Sequence, residues 1–204
     1  MMILLNEIRE KPIIILRTHQ KVLRLLLILL SGAVLGLIAK YTDGSEIGLI
    51  STGLGFWIFI TTLIAVSSRS PEAAALHAFS FLSTMLIVYY IYSMVLFGFF
   101  PRSYFLAWGV IAMLSPIGGY FVWYSIGLGW KAAAFAALPI SLLVVEGYSF
   151  IYTYSFTEGI DLLAALILFI ILPSKKKQYL LVLSIVIGLS LVIDRFGLIY
   201  YFPS

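Results

Sequence analysis

Seven apolar stretches, each set off by polar or helix-breaking residues, limit what this chain can fold into more than any other feature. They cover Val22–Ala39, Ile47–Val66, Ala73–Phe97, Tyr104–Ile126, Ala132–Tyr152, Ile160–Leu172 and Tyr179–Ile193. A helix needs about 20 apolar residues to cross the hydrocarbon core of a bilayer. Within hydrocarbon, a helix satisfies its own backbone polar groups, whereas an irregular or edge-exposed chain does not. The expected fold class is therefore all-α, a polytopic transmembrane helix bundle of about seven spans. Composition agrees, because 62% of the 204 residues are apolar and only 11% charged. A soluble surface uses about a quarter charged residues, so lipid is the expected solvent for most of the outside.

Seven helices and short loops consume nearly all of residues 22–204, which read as one transmembrane helical domain. Short loops also predict that consecutive helices are neighbours. The sixth stretch is short and is expected to begin earlier, within the aromatic run Tyr152 to Phe156. A separate segment, residues 1–21, precedes the domain. It alternates apolar runs with Glu7, Arg9, Glu10, Lys11, Arg17 and Lys21. It reads either as an amphipathic interfacial helix broken near Pro12 or as a cytoplasmic tail.

Charge sets the orientation. An N-terminus inside places ten of the 13 basic residues on the cytoplasmic side, leaving Lys40, Arg102 and Arg195 outside. The positive-inside bias thus predicts a cytoplasmic N-terminus and, with seven spans, an outer C-terminus in a bacterial cytoplasmic membrane. A cleaved signal peptide would leave six spans, but the first apolar run reaches spanning length and its preceding segment is long. The basic residues cluster at helix ends rather than on one soluble face, so nucleic acid is not an expected partner. The expected surroundings are the lipid bilayer, with anionic headgroups near Lys175, Lys176 and Lys177.

Glu146 is the most informative single residue. It follows Leu142, Leu143, Val144 and Val145, about six residues before the predicted outer end of its helix. An ionisable group at mid-bilayer costs roughly 2.5–3.5 kcal/mol on insertion scales and normally faces a cavity or partner. It reads either as a ligand anchor or proton-coupled carboxyl, or as a hydrogen-bonded structural acid. Pro139 lies one to two turns earlier and is a candidate helix kink that opens space near the acid. Tyr89 and Tyr90 are placed at a similar depth, where a hydroxyl needs a partner, and Glu146 is the candidate. Trp57 departs from the interfacial preference of tryptophan, so it lines a cavity or fills space. Tyr148, beside Glu146, completes the candidate ligand-binding set. Most other tyrosines and phenylalanines of the outer half read as an aromatic belt.

Gly32 and Gly36 form one GxxxG step, a face on which helices approach closely. Its partner is either a helix of this chain or a second membrane protein. His77 and His19 are too few for a metal site, and the chain has no cysteine; no cofactor is expected. No G-x-S-x-G, P-loop or dinucleotide fingerprint occurs, so the chain lacks the nucleophile, base and orienter of a catalytic set. It reads as noncatalytic, with small-solute binding or transport the leading function and an accessory or assembly role the alternative.

The run Ser115-Pro116-Ile117-Gly118-Gly119, followed by Trp123, Gly129-Trp130, Ala137-Leu138-Pro139-Ile140 and Glu146-Gly147-Tyr148, resembles a bacterial multi-pass inner-membrane family of unknown function. That resemblance covers roughly Leu30 to Tyr152 and implies no activity. In size and helix count the chain also resembles the substrate-binding components of energy-coupling-factor transporters. Those proteins typically have six helices and offer small-residue helix faces to a transmembrane partner. The likeness implies such a part for Gly32 and Gly36.

Overall fold

Helix boundaries follow the punctuation of the sequence in a computed structural model, which describes residues 8–10 and 17–197. The nine α-helices among these residues are α1 Thr18–Tyr41, α2 Glu46–Thr52, α3 Leu54–Ser67, α4 Pro71–Phe97, α5 Arg102–Val122, α6 Gly129–Gly147, α7 Phe150–Thr153, α8 Phe156–Ile171 and α9 Lys176–Arg195. A 3₁₀ turn, Trp123–Ile126, continues α5. No strand occurs among the described residues. Most of the expected interfacial segment and the end of the chain at Ser204 lie outside them.

The start of α4 shows how local chemistry sets an end. Ser70 is extended and its hydroxyl accepts the Ala73 amide at 3.1 Å, Pro71 occupies the first turn, and Glu72 supplies an acid there. Each satisfies or complements the orphan amides of a helix N-terminus. At the other end Gly98 adopts φ 71°, a left-handed cap that a side chain would oppose.

Five helices are long and apolar enough to cross a membrane: Thr18–Tyr41, Pro71–Phe97, Arg102–Ile126, Gly129–Thr153 and Lys176–Arg195. The expected second span comes out shorter, and the sixth, which begins earlier than Ile160 as expected, also falls short of crossing length. Gly53 is extended and caps both α2 and α3, so the stretch expected as one helix over Ile47–Val66 is divided, leaving 14 residues in α3. Helix α8 has 16 residues and begins at Phe156, after Tyr154 turns the chain with φ 52°. At 1.5 Å per residue these helices span about 21 and 24 Å, short of the ~30 Å hydrocarbon core.

Packing departs from simple sequential order. Helix α1 lies chiefly on α4, which also packs on α5, while α6 packs on α8 and α9. Helix α3 touches α4 and α5 on one side and α6 and α8 on the other. The bundle is thus two groups of three helices, α1, α4 and α5 and then α6, α8 and α9, joined through the short α3. Chain neighbours α5 and α6 make little contact with each other.

Close approach explains several small residues. A Cβ on Gly32 would sit 2.6 Å from the Phe81 carbonyl oxygen, and one on Gly36 would sit 2.5 Å from that of Met85. The GxxxG face of α1 is therefore filled by α4 of the same chain. The alanines of α6, Ala132, Ala133, Ala136 and Ala137, are buried in the core with Leu168, Leu172 and Val182. A smaller apolar cluster joins Trp57, Phe81, Leu82, Met85 and Ala112. The outward faces remain apolar: Leu23, Leu26 and Leu30 of α1 and Leu180, Ile187 and Leu191 of α9 are all exposed. A surface of that kind suits a membrane-embedded protein, since hydrocarbon carries no penalty for it.

Candidate functional site: a cavity at the end away from the lysines

The two ends of the bundle differ. At the end holding the Lys175–Lys177 run, the backbone and side chains are tied by hydrogen bonds. The Trp123 indole donates to the Ser68 carbonyl at 2.7 Å, and Ser68 Oγ lies 2.8 Å from His77 Nδ1. His77 is thus a buried structural partner. Gln178 donates to the Gly127 carbonyl at 3.0 Å. Residues 8–10 meet this end: Arg9 donates to the carbonyls of Trp123 at 2.6 Å and Val66 at 3.2 Å, and its guanidinium lies 4.2 Å from the Trp123 ring centroid. Ile8 is buried, and its carbonyl accepts the Leu128 amide at 2.8 Å. Arg9, read from sequence as a topology determinant, also plugs two carbonyls of the bundle.

At the opposite end a cavity of about 760 Å³ opens between α1, α3, α4, α5 and the end of α6. Its walls include Glu146, Tyr89, Tyr90 and Trp57, four of the five residues picked out in the sequence. Tyr148, the fifth, lies on the outside of the helix end, 40% exposed. Glu146 is the penultimate residue of α6, with the crossing segment Gly129–Thr153 continuing beyond it. Pro139 is buried within α6 and lines a different hollow, described below, rather than the space around Glu146.

The polar wall is organised by a residue pair that sequence reasoning passed over. Lys40, 8% exposed at the end of α1, pairs with Asp43 at 2.6 Å. Tyr89 donates its hydroxyl to the same carboxylate at 3.0 Å, so its partner is Asp43 and not Glu146. The Lys40 ammonium also lies 5.0 Å from the Tyr89 ring centroid and 4.7 Å from that of Phe97. Burial works to raise the pKa of Asp43. The hydrogen bonds from Lys40 and Tyr89, the Lys40 charge and the Gly44 amide together outweigh it and hold the carboxyl below the ordinary range. The signal available in the sequence was the i, i+3 spacing of Lys40 and Asp43 at the end of an apolar run.

Glu146 has a different environment. Among the described residues no cation is seen to pair with it, and it interacts electrostatically with Asp161 of α8, as does Glu158. Asp161 lies against Gly55, where a Cβ would meet its Oδ1 at 2.1 Å. Glycine at the start of α3 therefore makes room for a carboxylate from α8. No cluster of acids and histidines able to hold a metal ion occurs among the described residues.

The apolar wall is aromatic. Trp57 stacks on Trp108 with centroids 5.6 Å apart and an interplanar angle of 25°. Tyr90 makes edge contacts with Tyr89, at 5.1 Å, and Phe105, at 5.5 Å. Behind the indole pair lies a second hollow of about 390 Å³, bounded by Thr61, Ser115, Gly118, Pro139 and Leu142. Leu54, Trp57, Leu86 and Trp108 face both spaces. Ile117 and Leu138, which line it, are exposed on α5 and α6, chain neighbours that make little contact with each other.

No protein-family model matches the chain, and neither curated proteins nor solved structures gave a match.

Proposed function

We propose that this is a noncatalytic integral membrane protein of the bacterial cytoplasmic membrane that binds or transports a small solute through the cavity at Glu146. The observation carrying this reading is the convergence of Glu146, Tyr89, Tyr90 and Trp57 on one space of about 760 Å³. A volume of this size falls in the usual range of ligand sites, which place a few polar groups on a largely apolar wall.

In the proposed topology α3 and α8 complete seven crossings, with the short α2 and α7 filling the remaining depth. The N-terminus and the exposed Lys175, Lys176 and Lys177 face the cytoplasm, where anionic headgroups meet them, and the cavity faces outward. The accessory reading placed the contact with a second protein on Gly32 and Gly36 or on the N-terminal segment, most of which lies outside the described residues. Both glycines are buried against α4, which favours the cavity reading.

Nanodiscs carrying the full chain, dialysed against a small-molecule extract and analysed by mass spectrometry, test the proposal. Wild-type protein is expected to retain one or a few compounds over empty nanodiscs, and Glu146→Gln to lose them while inserting normally. Retention of nothing, or of the same compounds by both proteins, would contradict it.

A further inference from the structure

The cavity and the hollow behind it share one wall, and their chemistries are complementary halves of a single ligand. Three observations bear on the polar half. First, its lining carries two carboxyl groups, Asp43 and Glu146, against one ammonium, Lys40. Second, Lys40 directs its charge to Asp43 at 2.6 Å, while among the described residues no cation is seen to pair with Glu146, which interacts with Asp161. A cation placed beside a carboxyl favours its charged form, so a cationic head stabilises a Glu146 carboxylate there. Third, the aromatic wall demonstrably takes an ammonium, because that of Lys40 lies over Tyr89 and Phe97 within 5.0 Å of each centroid. Aromatic faces attract cations within about 6 Å, most strongly where water is excluded.

The other half is apolar. The stacked Trp57 and Trp108 bound both spaces, and beyond them Ile58, Ala112, Leu138 and Leu142 line a hollow that reaches the outer surface between α5 and α6. Gly118 lines it with no atom within 4 Å of where a Cβ would be, so the space there is open.

We infer that the ligand is a cationic amphiphile, an alkyl or aryl ammonium whose charged head meets Glu146 and the aromatic wall and whose tail passes Trp57 and Trp108 into the hollow. This rests on the cavity reading above and names the class of its solute. The ligand enters from the lipid side, between α5 and α6, which make little contact with each other.

Equilibrium binding of radiolabelled decyltrimethylammonium to the full chain in nanodiscs, below the critical micelle concentration and with empty nanodiscs subtracted, tests the assignment. Saturable binding of about one molecule per chain is expected, weakened at least tenfold by Glu146→Gln. Gly118→Leu, whose new side chain enters open space, should weaken decyltrimethylammonium at least fivefold and leave competition by butyltrimethylammonium unchanged. Decyl phosphate and decyl glucoside should compete at least tenfold less well than the cation. Equal competition by either of them overturns the cationic head, and if that binding still needs Glu146 the cavity reading stands. An unaltered affinity in Gly118→Leu overturns the tail site. Absence of saturable binding by all the decyl compounds overturns the amphiphile assignment, whereas the extract experiment judges the cavity itself.

Discussion

Asp43 ties together the open end of the bundle, although it stands in a four-residue connection between α1 and α2. It accepts from both Lys40 and Tyr89, and its pKa is held below the ordinary carboxylate range. A carboxyl depressed in the folded state stabilises the fold above its unfolded pKa of about 3.9 and loses that contribution as pH falls through the folded value. Asp43→Asn is therefore expected to melt below wild type at pH 7 in detergent, with the gap closing as the pH is lowered through the carboxylate range. A gap that stays constant with pH would contradict the ion-pair account. Glu146, Tyr89, Tyr90 and Trp57 were legible in the sequence because each is a polar or amphipathic group inside an apolar run. Lys40 and Asp43 were not, since a charge at a helix end looks like any interfacial charge. Asp161 was hidden for a related reason: it falls near the start of a stretch, and only the fold brings α8 against Gly55.

At the scale of elements, the contact between α1 and α4 depends on backbones meeting where side chains are missing. Gly36→Val would drive its Cβ into the Met85 carbonyl, 2.5 Å away, and backbone cannot yield as a flexible side chain does. Overpacking of this kind costs about 1–3 kcal/mol, measurable as a lowered unfolding midpoint in a denaturant series. Gly118→Ala, placed in open space, should change the midpoint little and serves as the comparison. The N-terminal plug makes a second element-level prediction. Arg9→Gln removes the guanidinium from Trp123 and leaves the carbonyls of Trp123 and Val66 without their donor, a loss of about 1–3 kcal/mol. An unchanged midpoint would mean that water replaces the arginine without cost. The end caps of α4 were readable from Ser70, Pro71, Glu72 and Gly98. The division of the second stretch was not. Gly53 sits in a run whose hydropathy alone fits one helix, and its extended backbone is a tertiary choice that admits Asp161 beside Gly55.

For the whole molecule, hydropathy specified a helical bundle with a lipid-suited surface and left its pairing open. Seven apolar stretches became five helices of crossing length and two short ones, because an apolar run records burial in hydrocarbon or protein alike. Helix α3 is such a case, short and surrounded by neighbours from both halves. Its central position brings Trp57 to the wall shared by the two hollows. The basic residues give the bundle a polarity that the structure echoes in another way, with a hydrogen-bonded end beside the lysines and an open cavity opposite. The absence of native cysteine makes that asymmetry directly testable. Ser93 lines the cavity and Ser174 is exposed at the lysine end. Each is replaced singly by cysteine and exposed, in intact cells, to a membrane-impermeant methanethiosulfonate bearing a trimethylammonium group. With the cavity facing outward, Ser93→Cys is expected to be modified from outside while Ser174→Cys reacts only after the membrane is permeabilised. Modification of Ser174→Cys in intact cells with Ser93→Cys protected until permeabilisation would contradict it.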